Sequence, residues 1–275
     1  MSNIQIVTDS TAYFTKEEAK KYNIVVVPLS VCFEGEEFQE GFLDETGDFF
    51  ERLERSKDFP TTSQPSAGAF ASVYNEALKE GKEVLAIIFS SKISGTYNSA
   101  VLGAEMLESD KISVIDTHTS VGNLKHLVLE AHRMAEDGRS RQEILNYIED
   151  QKTRMGTYLT VGSLDYLKKG GRLSNAQAFI GSILNIKPII QMEDGILEGV
   201  AKTRGKKKAL DLMISKIPED VKYIYVQHIL NEEEALEVVE KLKELFPSAS
   251  VSIVGLGPVI GSHLGPKTIG FCYLW

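Results

Sequence analysis

Short β-branched runs at residues 4–8, 24–29, 84–89 and 112–116 punctuate the first half of the chain. Nearly continuous apolar runs of this length fit strands buried on both faces. Between and after them lie amphipathic stretches at helical spacing, at 66–80, 98–108, 120–136 and 140–154. Ser66 is placed to cap the first of these and Gly81 to end it. Strand, helix, strand in alternation predicts a parallel, Rossmann-like sheet covered by helices. The pattern then changes. Strands are expected at 158–161, 188–192, 196–200, 223–228, 250–254 and 269–273, and helices at 176–184, 206–216 and 231–246. Glu193-Asp194-Gly195 between two apolar runs signals a hairpin. The expected organisation is an α/β parallel-sheet domain over residues 1–155 and a mixed α/β domain over 156–275.

Hydroxyl-rich clusters follow the expected strands of the first half: Thr8 to Thr11, Ser90-Ser91 and Asp116 to Ser120. Three longer polar segments interrupt apolar runs, at 61–66, 90–97 and 257–266. Open parallel sheets bind ligands outside the carboxyl ends of their strands. Any one Ser or Thr in such a place is ordinarily a helix cap. Several clusters on one edge point instead to a site, and small hydroxyls with Gly-rich backbone suit a carboxylate or a phosphate.

Composition narrows the choices. A net charge of -9 argues against a nucleic-acid binder, because phosphate contacts need clustered cations. Cys32 and Cys272 make no metal pattern and read as reduced, buried thiols of a cytoplasmic protein. The N-terminal residues carry neither a basic region nor an apolar core of signal-peptide type, and no apolar run is long enough to span a membrane. Catalytic signatures are weak. There is no Gly-x-Ser-x-Gly elbow, although a Ser–His ester hydrolase using Ser94 and His263 stays open. Segments 255–261 and 199–206 each have one residue too many for a nucleotide-binding loop. The histidines lack metal-ligand spacing, so neither a metal nor a cofactor is expected. The second half concentrates positive charge, with Arg172 and Arg204 beside glycines and Lys202 close by.

Four segments together resemble the DegV family: residues 62–66, 90–100, 167–174 and 257–266. The resemblance runs from Thr8-Asp9-Ser10 to the C-terminus. It implies a bacterial fatty-acid-binding protein that is not itself an enzyme, with one long-chain fatty acid between two domains. It implies that Thr62 and Ser94, beside Gly95 and Thr96, hold the carboxylate, with His263 as a further polar contact. It also implies a partner, the catalytic subunit of a fatty acid kinase, for which Arg172, Lys202 and Arg204 are the expected docking residues. The chain departs from a common family pattern at Leu264 and Lys267, where Thr and Gly are frequent. An apolar helix at 176–184 is expected to wall an acyl-chain tunnel, and 173–184 to act as its lid.

Overall fold

The computed structural model describes residues 3–173 and 186–275. In the first part the elements run β1 (Ile4–Asp9), α1 (Lys16–Lys21), β2 (Val25–Val27), β3 (Leu29–Phe33), β4 (Glu36–Glu40), α2 (Phe49–Arg55), β5 (Thr61–Ser63), α3 (Ala67–Lys79), β6 (Glu83–Ile88), α4 (Thr96–Glu105), β7 (Ile112–Asp116), α5 (Val121–Glu136) and α6 (Arg141–Gln151). There follow β8 (Met155–Thr160), α7 (Asp165–Gly170), β9 (Ile186–Glu193), β10 (Ile196–Arg204), α8 (Lys206–Ile214), β11 (Tyr223–Ile229), α9 (Glu232–Leu245), β12 (Ser250–Gly255), α10 (Pro258–Leu264) and β13 (Thr268–Leu274). The helix expected at 176–184 and nearly all of the lid expected at 173–184 lie outside the described residues.

The first sheet is parallel, in the order β2-β1-β6-β7. β1 is buried along its whole length and β6 almost so, which explains why both read as unbroken apolar runs. Ser66 caps α3, accepting a hydrogen bond from Ala69 N at 3.1 Å. Thr15 with Glu18, and Ser140 with Glu143, form capping boxes that start α1 and α6. The second sheet is mixed, in the order β10-β9-β8-β13-β11-β12. Its β9–β10 hairpin turns at Asp194 and Gly195, both with positive φ, as the Glu-Asp-Gly signal predicts. The chain is therefore a mixed α/β protein with a parallel sheet followed by a separate mixed sheet.

A third, antiparallel sheet, β4-β3-β5, departs from the sequence reading. Residues 24–29 read as one strand, but Pro28, which has no N–H, divides β2 from β3. β3 then hairpins into β4 through Glu34 and Gly35, at φ of 52° and 83°. Thr61 to Ser63, read as a polar interruption, pair with β3 as an edge strand. Cys32 lies on the outward side of β3 and is exposed, against the expectation of a buried thiol; Cys272 is buried. Residues 257–266 also read as a polar loop. Most of them form α10, whose Pro258 occupies the first turn, where a missing N–H costs nothing.

Among the described residues three apolar clusters form the core. One underlies the parallel sheet. A second lies between the mixed sheet and α8 and α9. The third, including Val121, Leu159, Met192, Leu197 and Leu256, sits where the two large sheets approach each other. α5 crosses that junction. Its Gly122 lies against Tyr225 of β11, where an added Cβ would come within 2.5 Å of the Tyr225 Cβ. Neither atom sits on a flexible chain end, so Gly122→Ala should force α5 from the mixed sheet. We expect a loss of about 1–3 kcal/mol in urea unfolding, and unchanged stability would mean that α5 has room to shift.

Candidate ligand-binding site

A cavity opens at this junction. Its walls are largely apolar: Phe89 and Val121 from the first part, Leu159, Met192 and Leu197 from the mixed sheet, and Val259 from α10. Seven polar residues also line it, among them Thr62, Ser94, Arg172 and His263. Ile93, Ser94 and Arg172 continue into a shallow surface crevice bordered by Lys92 and Gly95. No Asp or Glu is among the described residues lining the cavity.

His263 is held from several sides. Its Nε2 lies 2.7 Å from Thr62 Oγ1, and its Nδ1 is buried with no partner among the described residues. Burial, reinforced by the charge of Arg172, lowers its pKa to about 4, so the ring is neutral near pH 7. Gly170 lies against the imidazole, and a Cβ there would strike Nδ1. Gly171 then takes φ of 68° and ends α7. That is why the Gly170-Gly171 pair stands before Arg172.

α10, which carries His263, is fixed at its start by side chains from far away in sequence. Val259 N donates to Glu40 Oε1 at 2.8 Å, and Ile260 N donates to Tyr13 Oη at 3.2 Å. A Cβ at Gly257 would meet Glu40 and Tyr13, so glycine lets both reach beneath the helix. Burial, with a smaller contribution from Asp9, raises Glu40 to about 8. Nothing in the local sequence marks Glu40 or Tyr13 for this task. The two family departures are also placed. Leu264 lines the cavity, and Lys267 takes φ of 62°, a conformation that favours glycine.

Ser94 precedes α4. Its Oγ accepts from Thr96 N at 3.3 Å and lies 3.0 Å from Thr96 Oγ1. Thr96 is fully buried and orients Ser94 rather than lining the cavity itself. Gly95 borders the crevice, and a Cβ there would run into the Gln64 side chain at 2.6 Å. Arg172 donates to Ile93 O at 3.3 Å and to Gly170 O. Expected at a partner-facing surface, it lines the cavity beside His263. Lys202 and Arg204 are exposed on β10 and do not line it. Most other strand-end hydroxyls are spent on structure. Thr8 Oγ1 donates to Ile87 O, Thr117 Oγ1 to Ile88 O, and Ser90 Oγ to Gly195 O. Asp9 accepts from Thr11 and from Phe89 N, stapling β1 to the end of β6.

The arrangement lacks the marks of an esterase. His263 faces Thr62, Ser94 bonds to Thr96, and a histidine titrating near 4 is a feeble base at neutral pH. Among the described residues no cluster of His, Cys, Asp or Glu could hold a metal ion. Among them, too, no helix is long and apolar enough to cross a membrane.

The model of the DegV family, described as uncharacterised proteins, matches residues 3–275. A DegV domain-containing protein of Halalkalibacterium halodurans is 37% identical, over 99% of this chain and 99% of its own length. Among solved structures, a DegV family protein from Thermus thermophilus described for its fatty acid binding superposes with a TM-score of 0.89 at 33% identity, covering all of both chains. Bacillus subtilis DegV, described as a fatty acid binding protein, gives 0.88 at 34% identity, again over both whole chains. The chain belongs to the DegV family.

The depressed pKa of His263 has a measurable consequence. Protonation costs more in the folded protein than in the unfolded chain, where the ordinary value is 6.5. The stabilising contribution of His263 is therefore complete above about pH 6.5 and fades as pH falls toward 4. The stability difference between the native protein and His263→Gln, from urea unfolding, should be flat above that range and shrink below it. A difference independent of pH from 7 to 4 would mean that His263 titrates normally.

Proposed function

We propose that this DegV-family chain binds a long-chain fatty acid in its interfacial cavity and presents the carboxylate to a partner kinase. The observation that carries the reading is a hydroxyl–imidazole–guanidinium group, Thr62, Ser94, His263 and Arg172, set in an otherwise largely apolar cavity whose described lining has no acidic side chain. An alkyl chain gains roughly 0.8 kcal/mol per buried CH₂, so the apolar walls supply most of the affinity. A carboxylate leaving water must keep its hydrogen bonds. Thr62 and Ser94 donate to it, with the neutral imidazole of His263 as a further contact. Residues 1–155 carry the two hydroxyls, and 156–275 form much of the chain-binding wall. Gly95 and Thr96 shape the site from behind Ser94.

The same cavity opens beside Ser94 and Arg172 into a crevice, where the head group is reachable from outside. A kinase acting there supplies the nucleotide and the metal, and this chain supplies a held substrate. The exposed Arg204, with Lys202 on the same strand, suits an acidic surface on that partner, and Arg172 guards the mouth.

Each hydrogen bond to a charged group is worth about 1.5–3 kcal/mol before water compensates. Thr62→Val and Ser94→Ala should therefore each weaken the binding of a long-chain fatty acid about tenfold or more in titration calorimetry. Arg204→Glu should leave that affinity unchanged while slowing phosphate transfer by the partner at low salt. Full affinity in the Thr62→Val, Ser94→Ala double variant would remove the carboxylate from this site.

A further inference from the structure

The fatty-acid reading leaves one part of the cavity unexplained. Thr157, Gln227 and Ser120 line it among apolar neighbours, and each is buried. A plain alkyl chain offers them nothing. Their present partners are poor. Thr157 Oγ1 donates to Cys272 Sγ at 3.3 Å, and Gln227 Nε2 donates to the same sulfur. Two donors thus converge on one thiol sulfur, a weak acceptor. Asn123 is 1% exposed. It donates to Gly156 O at 3.2 Å and to Thr157 Oγ1 at 3.4 Å, and its buried Oδ1 has no partner among the described residues. Ser120 stands directly before α5 yet makes no capping hydrogen bond.

A second cavity lies on the other side of this group. Thr157 and Met192 line both, and the second is polar, with Asn123, Gln191, His118 and Lys152 in its walls. The cavity therefore borders the surface crevice at Ser94 and Arg172, and a polar space at Thr157 and Met192.

We infer that Ser120, Thr157 and Gln227 form a subsite for an oxygen atom carried on the acyl chain, so that the ligands include hydroxylated long-chain fatty acids. The proposal rests on the fatty-acid reading above and names a ligand class within it. A ligand hydroxyl there accepts from Gln227 or Thr157 and donates to Ser120. It gives these donors a better acceptor than sulfur.

The test is displacement of a fluorescent fatty acid by stearate and by a positional series of hydroxystearates. In a purely apolar cavity every hydroxylated isomer loses its hydration without compensation and binds more weakly than stearate. Here one position should match the subsite and bind within about threefold of stearate or tighter, with the other positions about tenfold weaker or more. Thr157→Val, nearly isosteric, should weaken binding of the matched isomer relative to stearate about tenfold. Ser120→Ala, which removes no capping bond, serves as the second variant should Thr157→Val fold poorly. Uniformly weak binding of all the isomers, or a matched isomer indifferent to both variants, would overturn the subsite. Failure of stearate itself to bind is a separate result, which overturns the fatty-acid reading and this one with it.

Discussion

The hydrogen bond between Thr62 and His263 joins residues 201 positions apart, and much of the candidate site depends on it. One partner sits on the edge strand of the small antiparallel sheet, the other on α10 in the second half. Its imidazole is buried and neutral, and it is covered by a glycine whose missing side chain leaves room for it. The bond requires α10 to stay in place, which Glu40 and Tyr13 achieve by taking the N–H groups at its start. Asp9 lies behind Glu40 and staples the first strand to the third of the parallel sheet. Groups that look independent along the chain thus form one connected polar support, reaching from the sheet to the cavity.

That support explains a division visible among the hydroxyls. Those of Thr8, Ser90 and Thr117 bond to backbone carbonyls and set the frame. Thr62, Ser94 and Ser120 line the cavity. The motifs in which they occur look alike, because a hydroxyl at a strand end can serve either purpose. Only the approach of the mixed sheet and α10 decides which of them face a ligand.

Legibility followed the range of the interaction. The parallel strands, the α3 cap at Ser66 and the Glu193-Asp194-Gly195 turn are local signals, and the structure has all of them. The β3-β4-β5 sheet was not legible, because polar residues such as Glu36, Glu37 and Thr61 sit in exposed edge strands that need no apolar pattern. α10 was hidden by its own glycines and proline, which read as a loop although Pro258 merely opens the helix. Thr62, Ser94 and His263 were visible through family resemblance, and the cavity brings them together. Glu40, Tyr13, Thr157 and Gln227 left no local trace, since each acts on a group more than a hundred residues away or lies on a strand facing another unit.

The central claim is that the interfacial cavity is filled by a fatty acid. Mass spectrometry of the protein purified from bacterial cells without added lipid tests it most directly, run first under native conditions and then after denaturation. The account predicts a native mass exceeding the chain by that of one long-chain fatty acid, released on denaturation and identified as the free acid. A native mass equal to the bare chain, with no fatty acid in the organic extract, would contradict it.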